Sequence, residues 1–201
     1  PTVQVLEERV AALEGGTAAL ATASGMSAIF LTIMTLCNAG DHVVVSSQLY
    51  GGTVNLFRLT LPKFGINATF VKPRDTEGFK KAIQENTKCI FGELVGNPGN
   101  ELMNLPEISK MAHDAGIPVV IDSTYQTPYL FKPLEHGADF VVHSLTKWMA
   151  GHGSSMAGIL VEGGKFDWLK TDKFPTMTEP YEGYHGLSFA EEFGPVAFTM
   201  K

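Results

Sequence analysis

The sequence predicts an α/β protein: three layers, with a mostly parallel seven-stranded sheet covered by helices on both faces. Three observations predict it. Short, near-continuous apolar runs (Val43-Val44-Val45, Val119-Val120-Ile121, Phe140-Val141-Val142) have the composition of strands buried on both sides. Segments of helical periodicity alternate with them, as a parallel sheet with helical crossovers requires. Only about a dozen residues, 146–157, separate the last two strands, and they read as loop. A parallel crossover needs a helix of its own, so the last strand is expected to be antiparallel.

The elements follow in order. Residues 3–14 place Leu6, Val10 and Leu13 on one helical face, and Gly15-Gly16 stop the helix. Residues 18–23 read as a short buried strand. Ser24-Gly25-Met26 is a turn that opens a second helix, 27–37, and Asn38-Ala39-Gly40-Asp41 punctuates before the strand 42–46. Residues 53–63 are amphipathic and lead through Gly65 to the strand 67–72. Then come a helix 77–84, a strand 88–94, a helix 106–115 with Gly116 just past its end, and a strand 118–122. A short helix around Leu134 precedes the strand 139–144, and the last apolar strand is 156–162. After Gly163-Gly164 the periodicity is lost among Trp168, Pro175, Pro180, Tyr181, Tyr184, His185 and Pro195. Residues 1–165 are therefore expected to form one large domain, and 166–201 a linker, a flap or the start of another domain. The abrupt start and finish are read as those of a piece of a longer protein.

Composition narrows the function. Fifteen Lys plus Arg against twenty-one Asp plus Glu leave a net charge of −6 over 201 residues. With no basic block, a nucleic-acid surface is not expected. The best apolar run, 28–37, is half the ~20 residues of a membrane span, and no secretory pattern opens the chain. Two cysteines, Cys37 and Cys89, are too few for a disulfide scaffold; both read as core thiols in a cytoplasmic protein. The six histidines show no metal spacing and no Cys-x-x-Cys occurs, so no metal is expected.

Open parallel sheets bind ligands beyond the carboxyl ends of their strands, and the polar residues expected there form a series. Ser24-Gly25-Met26 offers two N–H groups at a helix N-terminus, an anion seat or simply a cap. No Gly-x-x-x-x-Gly-Lys-Ser/Thr or Gly-x-Gly-x-x-Gly accompanies it, which disfavours a nucleotide P-loop and a Rossmann dehydrogenase. Tyr50, before Gly51-Gly52-Thr53, could stack on a flat ligand or lie in a surface loop. Asn97 sits in Gly96-Asn97-Pro98-Gly99-Asn100, whose composition a turn explains equally well. Asp122 ends an apolar strand, so it either meets a cation, a metal or a protonated ring nitrogen, or caps the Ser123-Thr124 turn. Lys147 follows Ser144-Leu145-Thr146; partial burial would make it a nucleophile, while Ser144 and Thr146 point the same way and could grip a phosphate. An anion cradle, a stacking aromatic, a carboxylate and an activated lysine together describe the needs of one ligand, pyridoxal 5′-phosphate.

The ordered motifs Ser24-Gly25-Met26, Tyr50-Gly51-Gly52-Thr53, Gly96-Asn97-Pro98, Asp122-Ser123-Thr124-Tyr125-Gln126-Thr127-Pro128 and Ser144-Leu145-Thr146-Lys147 with Gly151-His152-Gly153 carry a resemblance. They resemble the Cys/Met-metabolism group of fold-type I pyridoxal-phosphate enzymes: the cystathionine synthases and lyases, methionine γ-lyase and O-acetylhomoserine sulfhydrylase. It covers essentially the whole chain, and Gly151-His152-Gly153-Ser154-Ser155 with the stretch 174–186 looks most like the sulfhydrylase branch. The resemblance implies a seven-stranded sheet with one antiparallel strand. It implies that Lys147 links covalently to the coenzyme, Asp122 pairs with its ring nitrogen, Tyr50 stacks on the ring and Thr124 lies on the opposite face. Asn97 would bond the ring hydroxyl, and Gly25, Met26, Ser144 and Thr146 the phosphate. Lys147, Tyr50 and Asp122 are the implied catalytic groups. The implied reaction is replacement at Cγ of O-acetyl-L-homoserine by sulfide or a thiol, in methionine biosynthesis, by a cytoplasmic homotetramer. Ser123 stands where such enzymes usually carry Asn. Their upstream segment, which completes a neighbour's phosphate site, and their downstream domain, which binds the substrate carboxylate, have no counterpart in this sequence. The competing expectations are methionine γ-lyase or a cystathionine enzyme and, from another class, a non-catalytic cofactor-binding or scaffold domain.

Overall fold

The computed structural model describes residues 2–201, and its strands are β1 (Ala18–Thr22), β2 (His42–Ser46), β3 (Asn67–Val71), β4 (Thr87–Glu93), β5 (Val119–Asp122), β6 (Phe140–Ser144) and β7 (Gly158–Glu162). They form a sheet in the order β1-β7-β6-β5-β4-β2-β3. The pairs β2–β3, β2–β4, β4–β5 and β5–β6 are parallel, whereas β7 runs antiparallel to both β1 and β6. The short connection before β7 has the consequence expected of it. The start of β7 also brings two strand ends together: Gly158 is the register partner of Thr22 on β1 and of Ser144 on β6.

The helices that matter for the site are α1 (Thr2–Glu14), α2 (Gly25–Leu36), α3 (Gly51–Asn55), α4 (Thr76–Ala82) and α5 (Leu105–Asp114). Alternation along the strands divides the core into two layers. Val43, Val45, Phe91, Val120, Phe140 and Val142 pack on one face with Ile29 and Ile33 of α2. Val44, Ile90, Val119, Ile121 and Val141 pack on the other with Val10 of α1, Phe79 of α4 and Ile108 of α5. Two-sided burial is why the central strands read as continuous apolar runs. Cys37 and Cys89 are free and buried in the first layer.

Four expectations need correction. The contact face of α1 is Val10, Ala11 and Glu14; Leu6 and Leu13 are exposed, because the helix turns its Glu14 carboxylate inward to meet His143. The strand at Ala18–Thr22 is not a buried one: it lies at the sheet's edge with a partner on one side only, and Leu20 is exposed. The second helix begins at Gly25 rather than at residue 27, since Ser24 caps it directly. The amphipathic stretch 53–63 is not one helix. It passes from α3 into a π turn (Leu56–Thr60) and a 3-10 turn (Leu61–Phe64), and Gly65 ends it at φ 78°.

Residues 166–201 form short turns of helix without a common period. Their aromatics bury against the same face as α2: the Trp168 and Phe198 rings stack with centroids 5.9 Å apart, and Phe198 meets Phe140 at 4.4 Å. The Glu162 carboxylate at the end of β7 accepts the Phe198 and Thr199 N–H groups and the Thr199 hydroxyl, anchoring this segment to the sheet. No helix among the described residues is long and apolar enough to cross a membrane.

Candidate active site

Four parallel strands, β2, β4, β5 and β6, end on one side of the sheet, and β7 keeps α2 on that side by returning between β6 and β1. A cavity of about 870 Å³ opens there. All nine residues picked from the sequence line it: Gly25, Met26, Tyr50, Asn97, Asp122, Thr124, Ser144, Thr146 and Lys147. They come from five separate loops, up to about 120 residues apart in the chain, as expected of a site at strand ends.

The first wall is the start of α2. Ser24 Oγ accepts the Ser27 N–H at 3.1 Å, capping one orphan donor of this terminus, and the Ser24 carbonyl accepts the Ala28 N–H in the first turn of the helix. The Gly25 and Met26 amides make no hydrogen bond among the described residues and lie on the cavity wall at the positive end of the helix dipole. Gly25 is required by packing. A Cβ there would stand 2.6 Å from the Ser144 Cβ and 2.9 Å from its Cα, so only glycine lets the helix start rest on the end of β6. Gly25→Ala is expected to push these walls apart, costing about 1–3 kcal/mol of stability as an overpacked contact does. Urea denaturation checks this; an unchanged midpoint would mean that the contact yields freely.

The second wall is polar and continuous. Asp122 Oδ1 accepts the Thr124 N–H at 2.9 Å, and Thr124 Oγ1 accepts the Ser144 N–H at 2.7 Å. The turn after β5 is thus tied to β6, and Asp122 caps that turn while also facing the cavity. Burial pushes its carboxyl above the usual carboxylate range, opposed by the Thr124 hydrogen bonds and the nearby His143 charge. Thr146 Oγ1 exchanges hydrogen bonds with Ala157 (3.2 Å each way), closing the neck of the loop 147–156.

Lys147 departs from expectation in one respect. It lies exposed at the mouth of the cavity instead of partly buried, at the start of a loop whose residues 151–156 are exposed as well. Tyr125 and Trp148 stand on the same rim, edge to face with centroids 6.4 Å apart.

The third wall holds Tyr50 and Asn97, both exposed to the cavity. Behind them stands a residue that sequence reasoning missed. Glu93, the last residue of β4, is buried and is the register partner of Asp122. Its Oε1 accepts the Tyr50 N–H at 2.6 Å. Burial, and then the charge of Asp122, push its carboxyl up to about 8. The signal that could have found it was the one that marked Asp122: a carboxylate closing an apolar strand.

A reversed strand beside a helix N-terminus, with an acid and a lysine on neighbouring strand ends, defines the pyridoxal-phosphate class of α/β domains. The chain belongs to the family of Cys/Met metabolism PLP-dependent enzymes, whose model matches residues 1–190. It is 48% identical to the homocysteine synthase of Schizosaccharomyces pombe and 52% identical to the O-acetyl-L-homoserine sulfhydrylase of Leptospira meyeri. Each alignment takes in 100% of this chain and 47% of the relative, so the chain spans about half the length of these curated relatives. Among solved structures it is similar to the O-acetylhomoserine sulfhydrylase of Wolinella succinogenes (TM-score 0.86, 38% identity, 100% of this chain and 55% of that one). It is also similar to a Campylobacter jejuni chain described as an O-acetylhomoserine (thiol)-lyase, which carries N′-pyridoxyl-lysine-5′-monophosphate (TM-score 0.95, 36% identity, 99% of this chain and 50% of that one).

Proposed function

We propose that the polypeptide containing this chain is a pyridoxal-phosphate-dependent transferase that replaces the acetoxy group of O-acetyl-L-homoserine with sulfide or a thiol, giving homocysteine or methionine and acetate. One observation carries the reading: a helix N-terminus with two amides free of hydrogen bonds among the described residues, a half-buried acid and a lysine converge on one cavity. The names borne by its relatives support the choice of substrate.

The residues fit the coenzyme. The Gly25 and Met26 amides with Ser144 and Thr146 would hold its phosphate. Asp122 would hold a proton on the ring nitrogen, Tyr50 and Thr124 would flank the ring, Asn97 would bond its hydroxyl, and Lys147 would bind its aldehyde. Bound there, pyridoxal phosphate supplies an electron sink for a carbanion at the substrate Cα. Lys147 Nζ would carry protons at Cα and Cβ of the bound amino acid, and the Tyr50 phenol would act from the same cavity. The Asp122 carboxylate would favour the protonated ring nitrogen, which is what would make the sink effective.

Residues 1–165 are the coenzyme-binding domain in this reading, and 166–201 lead toward the remainder of the enzyme. Homotetrameric assembly in the cytoplasm, with active sites completed by a neighbouring subunit, is part of the same proposal. Exposed apolar side chains such as Val3, Leu6 and Leu13 on α1, with Tyr129 and Leu130, are suited to burial between subunits.

The test is direct. The full polypeptide, purified with pyridoxal phosphate, is expected to be yellow, and borohydride is expected to fix the coenzyme on the peptide containing Lys147. O-acetylhomoserine with sulfide should then be turned over faster than O-succinylhomoserine or methionine. A colourless protein, or a label on another lysine, overturns the site; a preference for methionine overturns the reaction.

A further inference from the structure

Glu93 is the one buried ionisable side chain of the cavity wall to which the coenzyme reading gives no task. Its position is specific. It closes β4 beside Asp122 on β5, so two carboxyls stand on adjacent strand ends. Its Oε1 accepts the Tyr50 N–H at 2.6 Å. Tyr50 belongs to another loop, the one after β2, and its side chain is not buried. Its exposed position gives little packing to hold it, and a backbone hydrogen bond to a buried carboxyl is the restraint the structure offers instead.

We propose that Glu93 is a positioning residue of this site: its carboxyl ties the Tyr50 backbone to the end of β4, so that a ring held by Asp122 meets Tyr50 in register. The proposal rests on the coenzyme reading above. It also has an electrostatic side. The ionisable groups that line the cavity with Glu93 are Asp122, Lys147 and the Tyr50 and Tyr125 phenols. Burial and the Asp122 charge let Glu93 keep its proton up to about pH 8. Once ionised, it places a second negative charge beside Asp122, which favours any cation held at the ring.

The experiment compares the full polypeptide with its Glu93→Ala and Glu93→Gln variants, each stripped of coenzyme and titrated with pyridoxal phosphate by visible absorbance. Folding is checked by far-ultraviolet circular dichroism. Glu93→Ala removes the acceptor and is expected to raise the Kd about tenfold or more. Glu93→Gln keeps an acceptor oxygen for the Tyr50 N–H and should return the Kd to within about threefold of the parent. The glutamine cannot ionise, so the pH at which the bound coenzyme's long-wavelength band fades should fall by about half a unit or more. A purely structural side chain would leave that midpoint in place. An unchanged Kd in Glu93→Ala, a glutamine variant as weak as the alanine one, or an unmoved midpoint in Glu93→Gln overturns the proposal while the coenzyme reading stands. If the parent itself takes up no coenzyme, both fall together.

Discussion

Asp122→Asn is expected to lower kcat/KM of the full polypeptide by about three orders of magnitude while leaving the fold intact. The reasoning is electrostatic. Two unit charges about 4 Å apart attract by about 4 kcal/mol at an effective dielectric near 20, and that is a factor of about 10³ in rate if it acts on the reacting state alone. Asparagine keeps the oxygen that accepts the Thr124 N–H, so the turn between β5 and β6 survives. It loses only the charge. Burial already pushes the Asp122 carboxyl upward, so its charge carries a desolvation cost that the uncharged amide avoids, and stability should hold or rise slightly. Steady-state kinetics on the variant, with its thermal midpoint measured beside the parent, separate the two effects. Turnover within about tenfold of the parent would show that the acid does not partner the ring.

The same electrostatic logic explains what could be read from the residues in advance. The central strands were legible because burial on both faces leaves a continuous apolar run, and the reversed β7 because 146–157 has no room for a crossover helix. Nine cavity residues were legible because each stands where an apolar run stops, seven with polar side chains and Gly25 and Met26 through their amides. What escaped depends on contacts across the chain. Periodicity put Leu6 and Leu13 on the inner face of α1, yet a glutamate took that place, because its partner is a histidine 129 residues away. Ala18–Thr22 has the composition of a buried strand, but sheet order put it at an edge. Glu93 closes an apolar strand as Asp122 does, but its hydrogen bond comes from a backbone N–H, which no side-chain motif records.

The buried pair on α1 and β6 yields the other large effect. Glu14 Oε1 and His143 Nε2 are 2.5 Å apart, and both side chains are 0% exposed. Glu14 Oε2 and His143 Nδ1 have no further partner among the described residues, so each group depends on the other. Removing either alone strands a polar or charged group in the core. Glu14→Ala and His143→Ala are each expected to destabilise by about 3–5 kcal/mol. Replacing both, as Glu14→Leu with His143→Leu, removes the charges together and should cost far less than the sum, since an apolar pair of similar volume can match a buried ion pair. Urea denaturation of the parent, the two alanine variants and the double leucine variant compares these costs; single variants no worse than about 0.5 kcal/mol, the range of ordinary surface changes, would show the pair to be idle. The histidine also reaches the site. Its charge lowers the Asp122 carboxyl against the pull of burial, so His143→Ala should let that carboxyl rise further. The acid limb of the coenzyme enzyme's pH–activity profile is then expected to move upward in pH in His143→Ala, and a fixed limb would confine the pair to holding α1 on the sheet.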